Sequence, residues 1–339
     1  MKAATYEGNR QVAVRDGETR TPGPGEVRLD VGYCGICGTD LHIFHGHMDQ
    51  RVGGTQILGH EAAGTVAEVG DGVTNVAVGD RVAVRPLRFG EPTPFDNGFP
   101  HVGKNLQFIG IDAPGGMQSS WTVPGYTLHR LPDDLSLQHG ALIEPAAVAC
   151  HDVRLANVQD GEHCVVIGGG PIGLLMALVA RERGGRVLLS EVNPHRIALA
   201  ESLGFHAVNP TTTDLSEAVR EATGGAMADC VFEVSGSAAG VAAMTEIARV
   251  RGRIVLVAIH PQPRPVDLFR FFWSELQLIG ARLYEPRDFD DAIALAAKGV
   301  LHLDRLITDV ASIDDVQATF ERLDNSPDAV KVLIDCGGE

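Results

Sequence analysis

Three residues in the first part of the chain carry side chains that bind divalent metal ions: Cys37, His60 and Glu61. A thiolate, an imidazole nitrogen and a carboxylate oxygen are ligands that Zn²⁺ takes in proteins, and a catalytic zinc site keeps one coordination position open. Glu144, in an Ile-Glu-Pro sequence farther along the chain, is a second candidate carboxylate. We therefore predict a metal site on Cys37 and His60, completed by one of the two glutamates.

A glycine-rich segment at residues 168–173, Gly-Gly-Gly-Pro-Ile-Gly, predicts a dinucleotide site. It follows an apolar strand and opens a helix, which is the context that makes this motif specific. The first glycine permits a tight turn, the third lets the backbone approach a pyrophosphate, and the last lets the helix pack on the sheet. The helix N-terminus supplies N–H groups for the phosphates. The predicted contacts are Gly168, Gly170, Pro171, Ile172 and Gly173.

An acidic residue, Glu191, follows the next predicted strand, 23 residues after Gly168. Its carboxylate is placed to accept hydrogen bonds from the adenosine ribose hydroxyls, and it repels a 2′-phosphate. The sequence therefore predicts NAD rather than NADP. Arg196 argues the other way, because its side chain is close enough in sequence to reach a 2′-phosphate.

The bulk composition excludes several classes of protein. The chain has 339 residues, 44% of them hydrophobic, and a formal charge of -16, which argues against nucleic-acid and anionic-membrane partners. No apolar run is long enough to span a bilayer, and the N-terminus lacks a signal peptide's apolar core. The six cysteines indicate reduced thiols, and we expect a cytoplasmic protein. Four of these are predicted core thiols: Cys150, Cys164, Cys230 and Cys336.

The pattern along the chain predicts an α/β protein of two domains. Residues 1–85 alternate apolar and polar positions in short runs, as half-buried strands do. From about residue 161, strands and helices alternate, which favours a doubly wound parallel sheet. The tail from about residue 285 holds two helical stretches and a last strand, and that strand needs a partner sheet. We therefore expect the tail to return to the first domain.

Two longer motifs, residues 35–42 and 59–64, carry a family resemblance. The chain resembles the zinc-dependent medium-chain dehydrogenases, on the polyol (sorbitol-like) and threonine or butanediol side. The resemblance implies a GroES-like β-rich catalytic domain of residues 1–150 and 285–339. It also implies a Rossmann NAD-binding domain of residues 151–284 and an active site in the cleft.

The same resemblance implies roles for individual residues. Zinc would bind Cys37 and His60, with Glu61 as third ligand and Glu144 on the metal or its water. Thr39 would pass on the proton of the substrate hydroxyl, and His42 would carry it towards solvent. From the residues alone, Thr39 is also a candidate helix N-cap and His42 a candidate surface histidine.

The implied activity is reversible oxidation of a secondary alcohol of a polyol, sugar or cyclitol to a ketone. Two alternatives share the zinc and nicotinamide sites: threonine or small-diol oxidation, and a non-catalytic NAD(H)-binding protein. A zinc-free reductase of the same superfamily would lack the Cys37 and His60 pair. A homo-oligomer is also implied, with a tetramer preferred over a dimer.

The chain departs from the family in residues 86–120, here called the lobe. Many members bind a second, structural zinc there through four cysteines, but this lobe has no cysteine, and Gly103 stands where the last would be. We therefore predict one zinc per subunit and a lobe held by packing of Phe89, Phe95, Phe99 and Phe108. A second departure is Leu283-Tyr284 in place of the Arg-Tyr pair of sorbitol enzymes.

Neighbouring residues complete the expectations for the site. Cys34 pairs with Cys37 in a Cys-x-x-Cys, but without a second pair or a thioredoxin-like context we predict that it packs in the core. Asp40 is predicted to orient the turn at Cys37. Five polar or aromatic residues are candidates to line a substrate pocket: Phe44, His45, His47, Trp121 and Tyr284.

Overall fold

The computed structural model describes residues 1–326 and 328–337. The chain divides into two compact units: residues 1–144 with those from 285 onward, and residues 145–284. The first division lies after Glu144 rather than after the expected residue 150, and both positions fall within one helix, Ile143–Ala156.

The strands and helices occur in the following order along the chain. The strands are β1 (Lys2–Tyr6), β2 (Val12–Asp16), β3 (Glu26–Gly35), β4 (Gln56–Ile57), β5 (Glu61–Val69), β6 (Arg81–Val84), β7 (Leu87–Arg88), β8 (Gln107–Phe108), β9 (Ser120–Pro124), β10 (Leu128–Arg130), β11 (His163–Ile167), β12 (Arg186–Ser190), β13 (His206–Val208), β14 (Ala228–Glu233), β15 (Ala248–Leu256), β16 (Gln277–Gly280), β17 (Ile307–Ser312) and β18 (Lys331–Asp335). The helices are α1 (Gly38–Phe44), α2 (Asp49–Val52), α3 (Leu137–Gly140), α4 (Ile143–Ala156), α5 (Pro171–Glu182), α6 (Pro194–Ser202), α7 (Leu215–Ala222), α8 (Ala238–Ile247), α9 (Leu268–Ser274), α10 (Pro286–Ala297), α11 (Leu303–Leu306) and α12 (Val316–Leu323).

The first unit is built on a sheet with the order β10-β6-β5-β3-β18-β17, in which β9 also pairs with β3. The long strand β3 has buried residues at alternating positions because one face of the sheet covers the core. Strand β18 pairs with β3 antiparallel, with Leu333 opposite Gly35. The expected return of the tail to the first domain is therefore confirmed, and it brings the C-terminal strand beside the end of β3.

The second unit is a six-stranded sheet with the order β13-β12-β11-β14-β15-β16, and its neighbouring strands all pair parallel. The strand order reverses between β11 and β14, which defines the crevice where ligands bind to doubly wound sheets. Its core is aliphatic, including Val165, Val231 and Ile254. This is the predicted Rossmann fold.

A buried carboxylate organises part of the lobe of the first unit. Asp96 Oδ1 accepts hydrogen bonds from Thr93 Oγ1 at 2.8 Å and Lys104 N at 2.9 Å, and Asp96 Oδ2 accepts one from Thr93 N at 2.7 Å. Phe95 is 77% exposed and Phe99 is 47% exposed, so the prediction that they pack the lobe is wrong.

The other two phenylalanines of the lobe make contacts. Phe108 is buried and its ring lies 5.0 Å from that of His60, edge-on. Phe89 is half-buried and stacks on Tyr126, and the Arg85 guanidinium lies 5.3 Å from the centre of its ring. The prediction that phenylalanines pack the lobe therefore holds for Phe89 and Phe108.

The cysteines behave as predicted: none of the six forms a disulfide within the described residues, and Cys34, Cys150, Cys164, Cys230 and Cys336 are buried. Burial raises the pKa of the Cys34 thiol well above its usual value, so this side chain stays neutral in the core. None of the helices within the described residues is long and apolar enough to cross a membrane.

Candidate functional site

Cys37 lies where strand β3 gives way to helix α1 and is the N-cap residue of that helix. Asp40, in the first turn, accepts a hydrogen bond from Cys37 N at 2.9 Å and another from Gly59 N at 3.3 Å. Asp40 is fully buried and therefore joins the two segments that carry the candidate metal ligands. Its predicted orienting role is confirmed, and the alternative of Thr39 as N-cap is wrong because Cys37 occupies that position.

His60 and Glu61 lie at the start of strand β5, just after a left-handed turn at Gly59. Gly59 has a φ of +93°, and a side-chain carbon there would lie 2.5 Å from Cys34 Sγ. Only glycine fits this turn, because the conformation is strained for other residues and the space is filled by the buried thiol. The turn sets His60 and Glu61 beside Cys37, and one ligand atom from each of the three lies within 4.8 Å of the others.

These three residues fit a zinc ion by their chemistry and by their electrostatics. They supply sulfur, nitrogen and oxygen donors, which is a set that Zn²⁺ accepts. His60 is buried, its Nδ1 has no hydrogen-bond partner among the described residues, and Asp40 Oδ1 lies 3.7 Å from that atom. Burial alone lowers the pKa of His60, but Asp40 and Cys37 outweigh it and raise the pKa well above the usual value. The surroundings therefore favour a positive charge at this position.

Lys331, from strand β18, neutralises Glu61. Its Nζ lies 2.6 and 2.8 Å from the two carboxylate oxygens and donates to Ile36 O at 3.0 Å, and both side chains are buried. Although burial alone lowers the pKa of Lys331, Glu61 and Cys37 raise it above its usual value. The sequence holds no local signal for this contact, because 270 residues separate the pair. Both Glu61 oxygens are thus engaged by an ammonium group.

Glu144 is buried in the first turn of helix α4. Its negative charge contributes to the raised pKa values of both His60 and Lys331. The structure therefore places Glu144 within electrostatic reach of the cluster, whereas Glu61 is a member of it.

Thr39 and His42 lie three positions apart on helix α1, so they share one face of it. His42 is exposed, and its Nδ1 lies 3.5 Å from His47 Nδ1. Partial burial and the nearby His47 and His45 lower the pKa of His42, which keeps the ring neutral and able to accept a proton near neutral pH. Helix α1 therefore carries a metal-ligand candidate at its start and a proton acceptor near its end.

The candidate pocket residues fall into two groups. Phe44, Trp121 and Tyr284 are buried, and their place in a substrate pocket stays a prediction. His45 Nε2 lies 2.8 Å from Asp324 Oδ1, and His47 faces solvent.

The glycine-rich turn in the second unit has the predicted geometry. Gly168 has a φ of +109°, and a side chain on Gly173 would collide with Gly168 O, so the start of α5 packs directly on the turn. At Gly170 the nearest atom to such a carbon is Arg196 Nη1 at 3.9 Å, which leaves the backbone open to a ligand. The turn therefore suits a pyrophosphate.

Glu191 is buried at the end of β12 and supports the same turn. Its Oε2 accepts a hydrogen bond from Gly169 N at 2.6 Å, and its Oε1 accepts from Val192 N at 2.7 Å and Asn193 N at 2.8 Å. These backbone bonds fix the carboxylate beside the glycine-rich turn. Arg196 lies on the neighbouring helix α6 and reaches the same turn.

Comparison with known proteins identifies the family. Residues 23–133 match the alcohol dehydrogenase GroES-like domain, and residues 171–298 match the zinc-binding dehydrogenase domain. A 2-dehydro-3-deoxy-L-galactonate 5-dehydrogenase of Pseudoalteromonas atlantica is 51% identical over 340 residues, covering 100% of both chains. This chain belongs to the zinc-dependent alcohol dehydrogenase family. As a member of its polyol and butanediol branch, it is a zinc- and nicotinamide-dependent oxidoreductase that acts on the alcohol group of a sugar or polyol.

Solved structures of this dehydrogenase family agree with the fold of the chain. The 2R,3R-butanediol dehydrogenase of Bacillus subtilis has a TM-score of 0.90 at 31% identity and covers 98% of this chain and 99% of its own. A zinc-binding dehydrogenase of Sinorhizobium meliloti, solved with NADP, has a TM-score of 0.90 at 30% identity, with 98% of both chains covered. The expected fold class, with a GroES-like domain and a Rossmann domain, is confirmed.

Proposed function

We propose that this dehydrogenase oxidises a secondary alcohol of a deoxy-keto sugar acid, a 2-dehydro-3-deoxyaldonate, to the corresponding ketone. The observation that carries the proposal is the whole-length 51% identity to the Pseudoalteromonas enzyme, whose name states oxidation at C5 of such an acid. The Cys37, His60 and Glu61 cluster supports the same chemistry, because an alcohol must lose a proton before its hydride can leave.

In this proposal, Cys37, His60 and Glu61 would hold zinc, and Glu144 is the alternative carboxylate ligand to Glu61. Bound zinc supplies Lewis acidity that lowers the pKa of a substrate hydroxyl. Thr39 Oγ1 accepts the hydroxyl proton and donates its own towards His42. His42 is neutral because its pKa is lowered, so it takes the proton to solvent at the exposed end of α1. Lys331 pairs with Glu61 and balances its negative charge.

We assign NAD to the second unit, bound through Gly168, Gly170, Pro171, Ile172 and Gly173. NAD supplies the hydride acceptor, and the protein supplies its position. Glu191 supports this choice, because its buried carboxylate at the end of β12 repels a 2′-phosphate. Arg196, whose guanidinium lies beside Gly170, is the residue that would favour NADP instead.

We also propose one zinc per subunit, a homotetramer and a cytoplasmic location. The cysteine-free lobe, organised by Asp96, supports the single zinc. Apolar side chains at the edge of the second unit support self-association: Leu268, Phe269, Phe272 and Trp273 on α9 and Leu278 on the edge strand β16 are all exposed. A dimer is the alternative that sedimentation would distinguish. The free cysteines support a reducing compartment.

The experiment that tests the function is a substrate screen with purified, zinc-loaded enzyme. Sugar acids of the 2-dehydro-3-deoxy type, sorbitol, xylitol, inositol, threonine and 2,3-butanediol are each supplied with NAD and with NADP, and reduced cofactor is followed by absorbance. We expect the highest kcat/KM with a 2-dehydro-3-deoxyaldonate and NAD. A higher value with butanediol or threonine would contradict the sugar-acid assignment, and NADH binding without turnover of any alcohol would favour a non-catalytic protein.

A matched variant separates the metal from the cofactor in the same assay. Cys37→Ser is expected to remove turnover while leaving NADH affinity unchanged, because the two sets of residues lie in different units. Turnover that survives the loss of zinc in this variant would refute the metal assignment.

A further inference from the structure

A buried carboxylate and a histidine join two loops in the second unit, beyond the residues assigned above. Glu233, the last residue of β14, is fully buried. Its Oε1 accepts hydrogen bonds from Ser235 Oγ at 2.5 Å and from Ser235 N and Gly236 N at 3.1 Å. Its Oε2 lies 3.0 Å from His260 Nε2. The carboxylate therefore fixes the loop after β14 and tethers a histidine from the segment after β15.

This pair lies at the end of the sheet where a dinucleotide binds. Strands β11 and β14 flank the point where the strand order reverses, and ligands of doubly wound sheets bind at the carboxyl ends of these strands. The loop after β14 touches the glycine-rich turn directly, since a side-chain carbon on Gly168 would lie 3.0 Å from Ser235 N. Val234 N also donates to Ile167 O at 3.0 Å. The loop that Glu233 holds thus borders the predicted pyrophosphate site.

The two halves of the sheet divide the cofactor between them. In this fold each half forms a mononucleotide-binding unit, so the half with β11, β12 and β13 takes the adenosine side, where Glu191 lies. Strands β14 and β15 belong to the other half. His260 follows β15, and the segment that carries it packs on the loop after β14, because a side-chain carbon on Gly236 would lie 3.6 Å from Ile259 O. His260 therefore belongs to the nicotinamide side.

One nitrogen of His260 has no partner. Since Glu233 is an acceptor, Nε2 carries the proton in that contact. The other nitrogen, Nδ1, is buried and makes no hydrogen bond within residues 1–326 and 328–337. A buried polar atom without a partner costs free energy, so its presence in a ligand-binding crevice points to a bond completed by the ligand.

We propose that His260 is a cofactor-binding residue whose Nδ1 accepts a hydrogen bond from the nicotinamide riboside half of the cofactor, with Glu233 as the positioning residue that orients the ring. The donors available there are the ribose hydroxyls and the carboxamide NH₂ of the nicotinamide. The inference rests on the nicotinamide cofactor of the proposed function, and nothing in it depends on the metal.

Two substitutions separate the proposed contact of His260 with the cofactor from its contact with Glu233. In His260→Gln the side-chain NH₂ can still donate to Glu233, but no acceptor remains at the Nδ1 position. In His260→Asn the amide oxygen can occupy the Nδ1 position, but the bond to Glu233 is lost. His206→Ala is the matched control, because His206 is exposed at the start of β13, at the opposite end of the strands.

The test is calorimetric titration of the zinc-loaded enzyme with AMP, ADP-ribose and NADH. For His260→Gln we expect Kd for NADH to rise about three- to tenfold, the value of one hydrogen bond, with Kd for AMP unchanged. ADP-ribose will be weakened equally if a ribose hydroxyl is the donor and will be unaffected if the carboxamide is. His260→Asn should stay closer to wild type than His260→Gln, and His206→Ala should match wild type throughout.

Three results would overturn the inference. One is unchanged NADH affinity in His260→Gln, and a second is an equal loss for AMP, which would indicate a damaged domain rather than a lost contact. A third is a larger effect of Asn than of Gln, which would make the tether to Glu233 the whole role of His260. If the wild-type enzyme binds neither AMP nor NADH, the proposed function fails as well, whereas normal wild-type binding with unaffected variants refutes this inference alone.

Discussion

The metal cluster and the lobe belong to the same unit, yet they are held in opposite ways. The cluster places a thiol, an imidazole and a carboxylate within 4.8 Å, on residues fixed by β3, α1 and β5. The lobe has no cysteine, and one carboxylate, Asp96, gathers its backbone N–H groups. Regular secondary structure positions the three candidate zinc ligands. In the lobe, hydrogen bonds to the side chain of Asp96 hold the backbone in place.

The substitution with the largest expected effect is Cys37→Ser in the metal cluster. Replacing it by serine removes the soft donor of the cluster, and we expect zinc content to fall and kcat to drop roughly a thousandfold or more, since a Lewis acid supplies several kcal/mol of stabilisation. Zinc analysis and kcat on the same sample check this. The lobe variant Asp96→Ala is the matched control, and it should keep both its zinc and its kcat.

Lys331 tests how far the cluster depends on the charge beside Glu61. Lys331→Met leaves a buried carboxylate without its cation, and we expect the metal-free protein to lose about 3 kcal/mol of unfolding free energy. The loss should be smaller in the zinc-loaded protein, because the ion is a second positive partner for Glu61. Urea unfolding of both forms measures the two values, with Lys331→Arg as the charge-preserving control. Equal losses in both forms would show that Glu61 does not interact with the metal.

The variant Asp96→Ala tests whether the hydrogen bonds to this carboxylate hold the lobe. Asp96→Ala should abolish the hydrogen-exchange protection of the Thr93 and Lys104 amides, because its carboxylate accepts from both. The N–H groups of Lys104 and Thr93 lower the pKa of Asp96, so the lobe keeps these bonds at neutral pH and loses them as the pH falls through that lowered value. Protection that is independent of pH in the acid range would contradict this account.

The smallest effect concerns His42. Because its pKa is lowered, we expect kcat/KM for alcohol oxidation to fall only when the pH drops below the usual histidine range, as the ring becomes protonated and can no longer accept a proton. Because His47 contributes to the lowered pKa of His42, His47→Ala should move this acidic limb to higher pH. A pH profile of kcat/KM for both proteins is the measurement. An unmoved limb would exclude His42 as the titrating group.

Much of this molecule could be predicted from short-range patterns. The turn at Gly168, the parallel sheet and the orienting role of Asp40 all follow from neighbouring residues, whose spacing fixes backbone conformation. The contacts that the sequence could not show are long-range ones, such as Lys331 with Glu61. Burial was equally hard to predict, since Phe95 and Phe108 have the same side chain and differ only in what the fold brings against them.

The origin of Lys331 in β18 has a consequence for how the enzyme is made. Glu61 is synthesised before its partner, because the ammonium group that neutralises it belongs to a residue 270 positions later in the chain. Until β18 pairs with β3, Glu61 lacks the ammonium group that balances its charge in the folded protein. The charge balance of the candidate metal site is therefore completed only when the last strand of the first unit joins its sheet.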